Sequence, residues 1–156
     1  MKGEANQVKK WGGILGIVGA IAALCIGVYL FLAQPKLEAN LLATGLNKKA
    51  AVITLGNTGF QDIKVLEVLI NHSEMPDIAK IQLNDSGEGF ILTESFTEEG
   101  YAFEDFKDGT IESGTAQKDR PYALYGLTFT GVREIYSVTI VYTYLGRDFE
   151  ETVTVL

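Results

Sequence analysis

The chain has 156 residues, of which 13 are lysine or arginine and 20 are aspartate or glutamate, giving a net charge of −7 with histidine neutral. Without the three lysines and one glutamate of residues 1–10, residues 34–156 keep 10 basic and 19 acidic side chains, a net charge of −9. Phosphate backbones repel so acidic a surface, which excludes nucleic-acid binding. Cys25 is the only cysteine, so residues 34–156 have no disulfide, thiolate metal ligand or cysteine nucleophile.

An uncharged apolar run of 23 residues, 11–33, dominates the N-terminal part. As a helix it would reach roughly 34 Å, enough to cross a hydrocarbon core of about 30 Å. Only a helix satisfies every backbone group of one segment inside lipid, so the run predicts a single transmembrane helix. Lys9 and Lys10 precede it and favour a cytoplasmic N-terminus. The predicted organisation is a cytoplasmic tail (1–10), a transmembrane helix (11–33) and an extracytoplasmic domain (34–156) at the cell membrane.

A cleaved signal peptide is the main alternative for this run. Signal peptides have an apolar region of about 7–15 residues, which is shorter than the run observed here. Residues 31–33 place a bulky side chain where signal peptidase prefers a small one, and residues 37–39 offer a weaker cleavage motif. A lipoprotein signal at Cys25 is disfavoured because Leu24 occupies a position that requires a small residue. We therefore expect the helix to be retained as an anchor.

Small residues of the run lie on one side of the predicted helix. At 3.6 residues per turn they fall within an arc of about 100°, and such stripes let two membrane helices approach closely. This pattern predicts self-association or packing against a partner's helix. The alternative is that glycine and alanine are simply common in membrane helices. The residues of this predicted packing face are Gly12, Gly16, Gly19, Ala20, Ala23 and Gly27.

Residues 34–156 carry the signals of β-strands separated by frequent turns. The clearest is 135–144, where aromatic and β-branched residues alternate with polar ones. Residues 97–106 are predicted to form a short helical turn. About seven strands in about 120 residues predict an all-β, immunoglobulin-like antiparallel β-sandwich behind one transmembrane helix. The candidate strands are 37–43, 50–55, 63–70, 78–83, 90–92, 110–116, 122–130, 135–144 and a last strand that includes 149–155.

Two segments resemble a known family. Residues 52–59, Val-Ile-Thr-Leu-Gly-Asn-Thr-Gly, and the following Asp-Ile-Lys-Val at 62–65 are similar to the strand–Asn-Thr-Gly–strand opening of bacterial immunoglobulin-like adhesion modules of the CARDB type. Residues 138–155 resemble the last hairpin of many immunoglobulin-like domains. The likeness covers about a third of the chain. It implies a β-sandwich in an extracytoplasmic, bacterial setting, and it implies no catalytic residue or cofactor.

The chain offers few side chains for chemistry. His72 is the only histidine, so it cannot form a histidine metal cluster, and it is predicted to be a solvated turn residue. Carboxylates could supply oxygen ligands to calcium, although their spacing does not fit an EF-hand, and solvated loop acids are the alternative. The candidate calcium ligands are Asp85, Glu88, Glu104, Asp105, Asp108 and Glu112.

These observations predict a non-catalytic interaction or assembly module held at the lipid bilayer by its helix. A protein partner, or a second copy bound through the helix, is expected. The first alternative is a ligand- or calcium-responsive accessory module of a membrane complex. The second is a small surface hydrolase with paired carboxylates, which would need a substrate cleft.

Overall fold

A computed structural model describes the backbone of residues 2–155 and the side chains of residues 16–118 and 120–155. The chain forms two compact units, Met1–Gln34 and Pro35–Leu156. The first consists of helix α1 (Lys2–Leu32). No helix among the described residues has both the length and the apolar character needed to cross a membrane. The side chains of the predicted tail 1–10, and of the first five residues of the predicted span, lie outside the described residues.

The second unit consists of two antiparallel sheets. One has the strand order β1-β2-β7-β4-β5 and the other has the order β6-β3-β8-β9. The nine strands found among the described residues are β1 (Leu37–Thr44), β2 (Ala50–Asn57), β3 (Ile63–Ile70), β4 (Ile78–Leu83), β5 (Ala102–Asp105), β6 (Thr110–Ile111), β7 (Tyr125–Thr130), β8 (Ser137–Tyr144) and β9 (Arg147–Thr154). The prediction of an all-β unit is confirmed at this level, with nine strands in place of about seven.

One apolar core joins the two sheets. Ile53 and Leu127 of the first sheet and Ile140 and Tyr142 of the second are fully buried in the same cluster. The alternation predicted for 135–144 is confirmed in the second half of β8, where Ile140, Tyr142 and Tyr144 are buried and the residues between them are partly exposed. In the first half, Ser137 and Thr139 are buried as well. Tyr136 precedes the strand, remains 47% exposed and donates a hydrogen bond from its hydroxyl to Glu134 Oε2 at 2.7 Å.

Strand β3 faces the core with one side, although its sequence is apolar on both. A shift in its register with β8 lies between positions 65 and 67. Ile63 and Val65 are buried before this bulge, and Val68 and Ile70 are buried after it. An extra residue in one strand reverses the alternation of side chains. Strand β3 is a central strand of its sheet, since it lies between β6 and β8.

Two predictions for the segment between β4 and β6 are wrong, and a third, for 110–116, is confirmed only at its first two residues. Residues 90–92 form no strand, because their backbone hydrogen bonds are made with the Gln82 side chain and not with a neighbouring strand. Its amide Nε2 donates to Ile91 O at 2.7 Å, and Ile91 N donates to its Oε1 at 3.0 Å. The predicted helical turn at 97–106 is replaced by β5, which pairs with β4. The predicted strand 110–116 is reduced to the two residues of β6.

The Asn-Thr-Gly corner between β2 and β3 is organised by Asn57, whose side chain is completely buried. Its Nδ2 donates to Gln61 O at 2.8 Å and to Ile111 O at 3.1 Å. Its Oδ1 accepts a hydrogen bond from Gly59 N at 2.8 Å. One amide therefore connects the corner to β6, which belongs to the same sheet as β3.

Candidate functional site

A cleft of about 690 Å³ opens on the flank where β5 ends one sheet and β6 begins the other. Its size lies in the range of sites that hold small molecules or cofactors. The lining combines two chemistries, apolar side chains and carboxylates. The apolar residues are Ile81, Leu83, Ala102, Phe103, Leu124 and Tyr125; the carboxylates are Asp62, Asp85, Glu104, Asp108 and Glu112; Thr110 completes the lining.

Pairing between β4 and β5 builds one wall of this cleft. Ile81 lies opposite Glu104, and Leu83 lies opposite Ala102. Residues directly opposite each other in a sheet project from the same face, so these four side chains share a surface. Ile81 is buried in the core, whereas Leu83 is 46% exposed. The wall therefore passes from the apolar core to an exposed leucine with a carboxylate beside it.

Four of the six predicted calcium ligands line this cleft, namely Asp85, Glu104, Asp108 and Glu112. They do not form a coordination group, because no three histidine, cysteine, aspartate or glutamate side chains among the described residues are placed to hold a metal ion. The other two candidates, Glu88 and Asp105, are not part of the lining. Asp105 Oδ1 instead accepts a hydrogen bond from Lys107 N at 3.0 Å and so stabilises the turn after β5.

Asp62 is a lining residue that the sequence analysis did not identify. Its Oδ1 accepts a hydrogen bond from Ser113 N at 2.9 Å, across 51 positions of sequence. The pairing of Ile63 with Ile111 brings the two segments together. No local pattern reveals such a neighbour, because it depends on β6 adding to the edge of β3.

The electrostatic character of the cleft is negative. Among the described residues, its lining contains no lysine, arginine or histidine to offset the five carboxylates. Tyr125 at its base is only 7% exposed. Burial, and then the nearby charge of Glu112, raise the pKa of the Tyr125 hydroxyl. The site therefore disfavours additional negative charge and favours cations.

Another acidic residue of this region, Glu98, stabilises its own loop. Its carboxylate accepts hydrogen bonds from Ser95 Oγ at 2.6 Å, from Thr97 N at 3.0 Å and from Thr93 Oγ1. The bonds from Ser95 and Thr93 are the main reasons why the pKa of Glu98 is lowered. Because its oxygens are already engaged within the loop, Glu98 is less suited to bind a ligand than the cleft acids.

His72 is exposed at the end of β3, as the turn prediction requires. Its Nδ1 lies 3.2 Å from Ser137 Oγ, and neither residue lines the cleft. A histidine beside a serine is not by itself a catalytic triad, which also needs a group that orients the histidine and donors for an oxyanion.

The predicted packing face of α1 is open within the described residues. A Cβ placed on Gly16, Gly19 or Gly27 would meet no atom within 4 Å, and Ala20 and Ala23 are exposed. The remaining member, Gly12, lies outside the residues whose side chains are described. Packing of this face against another helix therefore stays a prediction.

Comparisons with protein-family models, with curated proteins and with solved structures found no match to this chain.

Proposed function

We propose that the protein is a membrane-tethered, non-catalytic interaction module that binds a basic segment of a partner protein in the cleft beside β5. The cleft carries this proposal because it combines an exposed apolar surface with five carboxylates. A partner segment with arginine or lysine next to an apolar side chain complements both parts. Charge complementarity would speed its association and select against acidic partners, while apolar burial would slow its release.

The strand order supports an immunoglobulin-like interpretation of the fold. Strands β1-β2-β7-β4 follow the order A-B-E-D of that fold, and β3-β8-β9 follow C-F-G. Strand β6 occupies the place of an added strand beside C, although it comes later in the chain than β4. This order supports the fold that the resemblance to adhesion modules implies, and the role in binding is proposed from the cleft alone.

The tether is proposed from the sequence, in which the uncharged run extends from residue 11 to residue 33. In the described part of α1, large apolar side chains such as Ile17, Leu24 and Phe31 are more than half exposed. Exposed apolar surface of this extent requires lipid or protein to cover it. The lysines before the run favour an N-terminus in the cytoplasm, which would put the β domain outside.

Protease protection tests the tether and its orientation. Protease added to intact spheroplasts should digest a C-terminal tag and leave an N-terminal fragment in the carbonate-washed membrane fraction. A tag that is protected until detergent is added would contradict the orientation. Release of the whole chain by carbonate would contradict membrane insertion and would indicate that protein covers the helix.

Peptide binding tests the cleft. Labelled peptides of equal length carrying Arg-Phe, Glu-Phe or Arg-Ser repeats are titrated against the full chain in detergent micelles, with anisotropy as the readout. We expect the Arg-Phe peptide to bind best, because it alone matches both the charge and the apolar surface. Replacing Glu104→Gln together with Asp108→Asn should weaken its binding about tenfold or more at low salt, where screening is least.

A matched control removes the same charge elsewhere. Asp148→Asn with Glu150→Gln changes two exposed acids of the edge strand β9, far from the lining residues in the sheet order. This pair should change the affinity less than twofold. Equal losses in the two double variants would show that net charge, and not the cleft, attracts the peptide.

A further inference from the structure

The chain is fastened where it enters the β domain, at Lys36 and at Leu37, the first residue of β1. Tyr142 Oη accepts hydrogen bonds from Lys36 N at 3.2 Å and from Leu37 N at 3.4 Å. The carbonyl oxygen of Lys36 accepts two more, from Thr58 N at 2.9 Å and from Thr58 Oγ1 at 3.0 Å. We refer to these four bonds as the N-terminal clasp.

The clasp connects this junction to the most firmly held parts of the domain. Tyr142 is fully buried in the core and lies on β8, between β3 and β9. Thr58 directly follows β2, whose eight residues are all buried. Tyr142 and Thr58 thus bring bonds to the junction from both sheets.

Strand β1 needs such a fastening because it is an edge strand. It pairs only with β2, beginning with Leu37 opposite Asn57, and a register shift interrupts the pairing between Leu41 and Ala43. Without the clasp, tension from the N-terminal side would act first on the pair at Leu37. Pairs would then break one after another, because each lost pair would transfer the load to the next.

We propose that the N-terminal clasp is a mechanical lock that keeps β1 in the sheet when the domain is pulled from its N-terminal side. That such tension occurs rests on the proposed function, in which a tethered domain holds a partner. The clasp itself rests only on the bonds described above. It makes the junction withstand load because the bonds from Tyr142 and Thr58 must break before β1 can separate from β2.

Single-molecule force spectroscopy on the full chain in detergent tests the lock. One handle is attached at Gln34→Cys, in a Cys25→Ser background, and the other at a C-terminal tag. Tyr142→Phe removes the acceptor of two clasp bonds and keeps the aromatic ring. We expect it to unfold at least about fivefold faster than the parent chain at the same constant force, because two bonds that resist the pull are missing.

Tyr144→Phe is the matched control. Tyr144 also lies on β8, is also fully buried, and accepts a backbone hydrogen bond from Phe60 N at 3.3 Å, which is not one of the four clasp bonds. It should change the unfolding rate under force by less than twofold, even where its equilibrium stability falls. A second pair of handles, at Asn47→Cys in the β1–β2 turn and at the C-terminal tag, should abolish the special effect of Tyr142→Phe.

Two results would overturn the lock. One is an unchanged unfolding rate for Tyr142→Phe when the chain is pulled from residue 34. The other is an equal acceleration by Tyr142→Phe and Tyr144→Phe in that geometry, which would assign both tyrosines to general stability. Neither result depends on a membrane or on a peptide, so failure of the lock is distinguishable from failure of the proposed function.

Discussion

Replacing Asn57 by alanine should be among the most destabilising single changes to a polar residue in this protein. The change removes three side-chain hydrogen bonds, to Gln61 O, Ile111 O and Gly59 N, at a position with no solvent exposure. Alanine leaves those three backbone groups without their partner. Water can replace the lost donor at the carbonyl oxygen of the exposed Gln61, but it cannot reach the carbonyl oxygen of Ile111, which is fully buried.

The expected loss follows from the number of bonds. A buried hydrogen bond contributes about 1 kcal/mol net, and a group left unsatisfied in the interior costs about 1–3 kcal/mol. Three bonds, one of them at a fully buried carbonyl, give a loss of about 3 kcal/mol. Small domains have free energies of unfolding of about 5–15 kcal/mol, so this change would consume a large fraction of the total.

Urea denaturation measures this loss on the full chain in detergent, followed by the near-ultraviolet circular dichroism of its tyrosines. With an m value of about 1.5 kcal/mol/M, the midpoint of Asn57→Ala should fall by about 2 M. Asn57→Asp should be at least as damaging at neutral pH, because it loses both donors and turns a negative charge toward two carbonyl oxygens. Asn40→Ala is the control, since its amide makes only an exposed bond of 3.4 Å to Gln117. A loss below about 1 kcal/mol for Asn57→Ala would refute the assignment of Asn57 as the organiser of the corner.

Three further outcomes are expected. Gly126→Ala would place a Cβ 2.6 Å from the Phe90 ring and should cost about 1–3 kcal/mol in urea denaturation, most of which a second change, Phe90→Ala, should restore. Burial is the main cause that raises the pKa of both Tyr125 and Tyr142, so the folded state holds these protons more tightly than the unfolded state. The contribution of these two protonated hydroxyls to the free energy of unfolding is therefore fully present below the ordinary tyrosine pKa of about 10, and it is lost as pH rises through the higher pKa values of the folded state. Tyr142→Phe should reduce this loss, measured as the change in urea midpoint from about pH 9 to 12. Calcium should raise the melting temperature no more than sodium chloride at matched ionic strength, because no three carboxylates of the described residues converge; a calcium-specific rise of several degrees would establish a calcium role.

Local patterns were sufficient to predict the strands that belong to the core. The bounds predicted for β3 and β4 agree with Ile63–Ile70 and Ile78–Leu83, because apolar runs of these lengths between turns have few alternatives. The turn between β8 and β9 consists of Leu145 and Gly146. Both residues have positive φ, 52° and 73°, which suits the two-residue turn of a hairpin.

Elements that depend on a distant partner were not predictable in this way. Strand β5 has the sequence Ala-Phe-Glu-Asp and acquires its conformation from the pairing of residues 102–105 with β4. Segment 90–92 looks like a strand in isolation, but its backbone is bonded by the side chain of Gln82, eight to ten positions earlier. The contribution of Asp62 to the cleft depends similarly on the pairing of β6 with β3.

The acidic composition alone does not argue for a binding site. Only five of the 19 acidic residues of 34–156 line the cleft, so most of the charge serves solubility wherever the chain folds. What distinguishes the cleft is that its five carboxylates share a surface with six apolar residues, including an exposed Leu83, and that no basic side chain of the described residues neutralises them. Solubility explains charged side chains on the outer face of a sheet, but it does not explain carboxylates that surround the apolar lining of a cleft. A ligand with a cationic group beside an apolar one would explain this combination, since its binding would both cover the apolar surface and offset the repulsion between the carboxylates.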